Sequence, residues 1–378
     1  MQFRDLKKQY QVLKPQIDEA VTRVMTEANF ISGSQVTELE QKLAAYVGVK
    51  HCVSCANGTD ALKLAEMVYG IGPGDAVFVP DFTFFSSAET VAELGATPVF
   101  VDVCEDTFNI DPISLENEIQ RVIQEGNAKP RAVVAVDLFG LPANYPALRP
   151  ICDKYGLLLI EDGAQGFGGK IGDKRACSFG DIATTSFFPA KPLGCYGDGG
   201  AIFTNDDAVA ELLCSLRVHG KSRDDKYNNI RLGMNSRLDT IQAAVLDVKL
   251  AAFSGQELEA VNQVAKMYDE RLRDRLCTPV VPAGYYSSWA QYTLRFDSRE
   301  KRDAVQRALK EKGIPTMIYY PRGMHQQGAF SALPYHGQCP VTERLCDTVL
   351  SLPMHPYMTE KEINLICEGL FGAIKGLY

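Results

Sequence analysis

The chain has 378 residues, 46% hydrophobic and 23% charged, with a formal charge of −8. At roughly 150 residues per domain it holds about two to three folding units, and its apolar content excludes a disordered chain. An acidic chain with no basic stripe is a poor match for nucleic acid or an anionic membrane, and no run approaches the ~18 apolar residues of a membrane span.

Residues 1–9 are charged and carry no apolar h-region, so no secretory signal is visible and a cytoplasmic protein is expected. The eleven cysteines then read as reduced, mostly buried thiols. Helical apolar spacing runs over 10–27 and 34–47. Cys52 and Cys55 form a C-x-x-C, but the segment alternates like a strand, which turns residues three apart to opposite faces. No second C-x-x-C completes a zinc site, and His51, His219, His325, His336 and His355 are scattered. No metal site is expected.

From 50 to 205 short apolar runs (51–54, 76–80, 98–103, 132–138, 157–160, 184–188, 201–204) alternate with helical patterns (60–69, 85–94, 112–125, 145–154). That alternation predicts an α/β fold with a mainly parallel sheet covered on both faces. Helical patterns follow at 235–251 and 257–276, then a strand at 289–296, a helix at 301–312, a strand at 314–320 and a closing helix at 360–370. We read a large domain over 1–255, including the N-terminal helical segment, and a smaller C-terminal α/β domain over 256–378.

Ligands of such sheets collect at the carboxyl ends of strands. Three strand ends here carry unusual residues. In Asn57-Gly58-Thr59-Asp60 small polar residues open a helix, where free N–H groups can hold a phosphate. The plain alternative is a turn capped by Thr59 or Asp60. In Glu161-Asp162 two carboxylates end an apolar strand, a costly position unless a cation or hydrogen bonds meet them. Asp162 could equally cap the next helix or pair with an Arg. After Ser186, Lys191 lies among Pro and Gly with little charge nearby, where desolvation lowers an amine's pKa. It is otherwise an ordinary loop lysine. Jointly the three ends suit one ligand with a phosphate, a cationic ring nitrogen and an aldehyde that a neutral amine captures as a Schiff base. Pyridoxal 5′-phosphate (PLP) carries all three.

These motifs, in this order with Gly197-Asp198-Gly199-Gly200, Asn235-Ser236-Arg237-Leu238-Asp239 and Ser351-Leu352-Pro353-Met354, resemble the DegT/DnrJ/EryC1/StrS family over nearly the whole chain. Members are fold-type I, PLP-dependent nucleotide-sugar aminotransferases. The resemblance implies that Lys191 carries the cofactor and shuttles protons. It implies that Asp162 binds the pyridine nitrogen and Gln165 the ring hydroxyl. Ser186 and the Gly58, Thr59 and Asp60 backbone would hold the phosphate, and Phe84 would stack on the ring. Asn235 would reach the phosphate of the other subunit's cofactor, which implies a homodimer with shared active sites. Arg237, Tyr319, Tyr320 and His325 match positions near the sugar nucleotide.

Gly163 stands where most members have Ala, Tyr319 replaces a frequent His, and Asp81 replaces a small residue. A lysine at 191, where dehydratase members carry His, favours transamination. The wording of the motifs is closest to enzymes that aminate C3 of UDP-2-acetamido-2-deoxy-3-oxo-glucuronate, with L-glutamate as donor. Arg237 would then meet the uronate carboxylate. Amination at C4 of a 4-keto-6-deoxy sugar, or at C3 of a dTDP-sugar, stays open. A nicotinamide oxidoreductase would need a G-x-G-x-x-G after a strand, which is missing. A non-catalytic PLP-binding protein would be expected to lack Lys191.

Overall fold

The computed structural model describes residues 1–225, 227–333 and 337–375; His336 lies outside them, as do the last three residues of the expected small domain. Two helices open the chain, α1 (Leu6–Glu27) and α2 (Ser34–Val47). Asp5 starts α1 by accepting the Lys8 N–H at 2.8 Å, and Gly48 ends α2 in a left-handed conformation. The alternating region forms β1 (His51–Cys55), α3 (Gly58–Val68), β2 (Asp75–Pro80), α4 (Ser86–Glu93), β3 (Thr97–Val101), α5 (Pro112–Glu125), β4 (Lys129–Val136), α6 (Tyr145–Tyr155) and β5 (Leu158–Asp162). The short strands β6 (Lys170–Ile171) and β7 (Lys174–Arg175) precede β8 (Ile182–Ser186), β9 (Gly200–Thr204) and α7 (Asp207–Leu216).

Seven strands make one sheet in the order β1-β9-β8-β5-β4-β2-β3. All run parallel except β9, which is antiparallel to both neighbours. Strand alternation sends neighbouring residues into different cores. On β4, Ala132, Val134 and Val136 join the layer beneath α3 and α7, whereas Val133 and Ala135 join the layer beneath α5 and α6. Both faces are therefore buried, which is why the strands read as unbroken apolar runs.

The remaining elements are α8 (Thr240–Ala252), α9 (Leu258–Leu272), β10 (Tyr285–Tyr286), β11 (Tyr292–Arg295), α10 (Arg299–Glu311), α11 (Pro340–Thr348), β12 (Val349–Leu352) and α12 (Glu360–Lys375). A π-helical turn, Phe253–Glu257, joins α8 to α9. Two expectations need correction, and one helix was not foreseen. The helix expected from 235 begins at Thr240, after Asp239, and Asn235 lies in an extended segment bridged to Val218. The strand expected at 314–320 is one isolated bridge, Met317 to Ser351. Pro315 offers no N–H to a ladder, and the fully buried β12 is the partner of β11. The helix α7, unanticipated, is capped by Asp206 and turns Ala210, Leu213 and Leu216 inward. No described helix is long and apolar enough to cross a membrane.

Candidate active site

Because β1, β5 and β8 run in one direction, Cys55, Asp162 and Ser186 end at the same edge of the sheet. Strand alternation decides which carboxylate of the Glu161-Asp162 pair faces it. Glu161 points the other way and accepts N–H groups from Cys177, from Phe179 at 2.6 Å and from Gly180 at 3.1 Å. Asp162 is 4% exposed; its Oδ2 accepts the Ser87 hydroxyl at 2.8 Å and its Oδ1 the Ala164 N–H at 3.2 Å. Burial holds its carboxyl above the usual carboxylate range, against the pull of those two donors and of the Lys191 ammonium. Burial likewise pushes the Lys191 amine down, with Asp162 opposing and Arg4 reinforcing the shift. The two side chains are thus close enough to bias one another.

Where β1 turns into α3, Asn57 is the cap: its Oδ1 accepts the Asp60 N–H at 2.7 Å, so neither Thr59 nor Asp60 plays that part. The Thr59 hydroxyl bonds Ser86 at 2.7 Å. Gly58 lies so close to the end of β8 that an added Cβ would sit 2.6 Å from Ser186 Cβ and 3.0 Å from its Oγ. The Gly58 and Thr59 N–H groups belong to the first turn and have no intrahelical acceptors. The Asp60 N–H is already taken.

The opposite wall is aromatic. Phe84 is half exposed, 6.5 Å from the Tyr320 ring, which also meets Phe82 and Tyr319 at 6.0 and 5.7 Å. Gln165 accepts the Phe139 N–H at 2.7 Å and donates from Nε2 to the Tyr320 hydroxyl at 3.0 Å. Gly163 is explained by Cys177, whose Sγ would lie 2.5 Å from a Cβ there. Cys52 and Cys55 are both buried, with burial pushing their thiols up, and none of the eleven cysteines is in a disulfide.

His325 is fastened to Asp81. The buried carboxylate accepts the His325 backbone N–H at 2.8 Å and faces Nδ1 at 2.6 Å, while Nε2 lies 3.4 Å from Glu343. The bond to Asp81 raises the imidazole above its ordinary value. With Cys339 these two residues place potential ligand atoms within 4.8 Å of one another. Asn235 and Arg237, with Ala56, Gly197 and Asp198, line an open cavity of about 420 Å³ that Lys191 does not border.

Two residues of the site had no sequence signal. Ser87, in the first turn of α4, orients Asp162 and in turn bonds Thr83 at 3.1 Å. Arg4 reaches across 187 positions to donate from Nη2 to the Lys191 carbonyl at 2.9 Å.

Residues 11–371 match the model of the DegT/DnrJ/EryC1/StrS aminotransferase family. The chain belongs to this family. Among its relatives, the UDP-2-acetamido-2-deoxy-3-oxo-D-glucuronate aminotransferase of Pseudomonas aeruginosa is 45% identical, over 98% of this chain and 99% of that protein. The UDP-N-acetyl-3-dehydro-α-D-glucosamine 3-aminotransferase of Acidithiobacillus ferrooxidans is 41% identical, over 96% of this chain and 95% of that protein. A crystal structure of a DegT/DnrJ/EryC1/StrS aminotransferase from Brucella abortus, 47% identical, superposes with a TM-score of 0.95 over 100% of this chain and 99% of that one. The DegT/DnrJ/EryC1/StrS architecture, the α/β fold-type I arrangement of PLP enzymes, is therefore the fold of this chain. Its cofactor is PLP.

Proposed function

We propose that this enzyme transfers the amino group of L-glutamate to the C3 keto carbon of a UDP-linked 2-acetamido-hexuronate, for cell-surface glycan synthesis. It is a PLP-dependent nucleotide-sugar aminotransferase. The observation that carries the site is the pairing of a desolvated lysine, Lys191, with a buried carboxylate, Asp162, beside a helix N-terminus that Gly58 leaves open.

The residues present fit the cofactor. Asp162, buried with two hydrogen bonds and no side-chain ion pair within 4 Å among the described residues, suits a cationic ring N–H. Gly58, Thr59 and Ser186 offer N–H and O–H donors to a phosphate at the α3 N-terminus. Gln165 would meet the ring hydroxyl through Nε2, and the exposed Phe84 would cover the ring. Bound there, PLP supplies an aldehyde for covalent attachment and a ring that takes up an electron pair. Lys191 Nζ, kept toward its neutral form by burial, takes the donor's α-proton and carries it to the cofactor's C4′. In the second half-reaction it moves a proton from C4′ to the sugar carbon. The Ser87 bond and the Ala164 N–H fix Asp162 throughout.

Asn235 and Arg237, which line a cavity that Lys191 does not border, suit a homodimer in which each subunit lends these residues to its partner's site; Tyr319, Tyr320 and His325 would border the sugar. The hexuronate is favoured by the Pseudomonas relative, and both relatives named above act on 3-keto UDP-sugars by their names. The reading divides the chain into a cofactor domain, 1–255, and a smaller domain, 256–378, at the π-helical turn. Eleven cysteines without a disulfide among them suit the cytoplasm. The test is a panel of 3- and 4-amino nucleotide sugars, run in reverse against 2-oxoglutarate. The UDP-3-amino-hexuronate should be consumed fastest; preference for a 4-amino or dTDP-linked sugar would overturn the substrate assignment.

A further inference from the structure

We propose that Arg4 is the carboxylate receptor of the active site, taking the α-carboxylate of the amino donor or the uronate of the sugar. The inference rests on the functional reading above. Arg4 precedes α1, and its place is fixed on both sides. The Phe3 carbonyl accepts the Met354 N–H at 3.1 Å, and Asp5 caps the helix. The Nη2 group donates to the backbone carbonyls of Lys191 at 2.9 Å and Pro192 at 3.5 Å. The guanidinium has five N–H groups in a planar fork. Nε and Nη1 make no hydrogen bond among the described residues, yet neither is sealed from solvent. No carboxylate of a described residue forms an ion pair with Arg4. Glu257, the acid whose charge acts on it, is already engaged by Gln9 at 3.1 Å and by the Tyr357 hydroxyl.

A circuit of neighbours ties Arg4 to the site. Arg4 bonds Lys191 and acts on Tyr319. Tyr319 packs against Tyr320, Tyr320 bonds Gln165, and both Tyr320 and Lys191 feel Asp162. Arg4 therefore closes the ring of residues around the lysine. Lys249, also buried, adds a further positive group on this side. A half-buried cation with spare fork donors beside the lysine is complementary to a carboxylate, which it can grip bidentately. It also reverses locally the repulsion that a chain of net charge −8 exerts on anionic substrates.

Arg4→Gln separates this role from a structural one, because the amide can still bond the Lys191 carbonyl but carries no charge. Two probes distinguish the sources of the carboxylate. One is L-glutamate, followed through the cofactor spectrum of the holoenzyme in the first half-reaction. The other is calorimetric binding of UDP-glucuronate against UDP-glucose to the protein without cofactor. We expect about a ten- to hundredfold rise in half-saturating L-glutamate, exceeding any fall in limiting rate, if the donor carboxylate is held. If the uronate is held, the wild-type preference for UDP-glucuronate disappears instead. Arg4→Lys, which keeps the charge and loses the fork, should fall between. An Arg4→Gln protein that only melts earlier or turns over more slowly, with both binding measures unchanged, would overturn the proposal. A wild-type protein that neither reacts with L-glutamate nor binds either UDP-sugar would overturn the functional reading itself, and the proposal with it.

Discussion

Gly58→Ala tests the phosphate cradle with a single methyl group. The new Cβ would sit 2.6 Å from Ser186 Cβ, 3.0 Å from Oγ and 3.2 Å from Cα, so the end of β8 or the first turn of α3 must shift. Overpacking of this kind costs about 1–3 kcal/mol. Removing a glycine from a helix returns at most about 1 kcal/mol. The net loss of roughly 1–2 kcal/mol should lower Tm by a few degrees. The effect on PLP is larger, because the displaced groups are the donors to its phosphate. Each hydrogen bond to a charged group is worth about 1.5–3 kcal/mol, so Kd should rise about ten- to hundredfold. The double variant Gly58→Ala/Ser186→Gly removes the two closest contacts. It should recover most of the Tm and none of the affinity, since the hydroxyl is gone with the clash. Thermal denaturation of the protein without cofactor and a PLP titration read the two effects separately. Wild-type affinity in the double variant would refute the assignment of Ser186, and wild-type affinity in Gly58→Ala would refute the cradle.

Lys249 is 2% exposed, its ammonium 4.9 Å from the Tyr196 ring centroid, and burial pushes it down to about 8. The unfolded chain then binds more protons between pH 8 and the ordinary lysine value, so stability rises with pH in that window and is lost as pH falls through 8. Charging Lys249 costs the fold about 3 kcal/mol at pH 7. Lys249→Met should melt higher than wild type at pH 7 and converge with it above pH 10; parallel Tm curves would contradict this. His325 has the opposite sign. Its raised value means that the Asp81 bond stabilises the fold below the ordinary histidine range and loses that contribution as pH rises through the folded value. An NMR titration should find His325 above 6.5 and nearer 6.5 in Asp81→Asn; a titration below 6.5 in wild type would reject the pairing.

The sheet was legible because both faces are buried, which leaves apolar runs that stand out between helical patterns. The active-site edge was legible because three strand ends break that apolar rule at Asn57, Asp162 and Ser186. What local pattern could not settle was orientation. Glu161 and Asp162 look equivalent in the chain, and only the register of β5 sends one into the 177–180 loop and the other into the site. The helix start at Thr240 was obscured because apolar spacing continues through Leu238. The segment 314–320 carries β-forming residues, but β12 has the better claim on β11 because its side chains are buried throughout. Arg4 left no trace, because its partner lies 187 residues away and a lone arginine before a helix has no periodicity. Against the background of the −8 charge, Arg4 in its proposed role and the α3 N-terminus would together supply local positive charge to anionic ligands.

The most direct test of the account is borohydride reduction of the purified protein with PLP, followed by peptide mapping. The account requires a visible absorption band that reduction abolishes, with the cofactor fixed on Lys191. A protein that gains no band with added PLP, or whose label falls on another lysine, would contradict it.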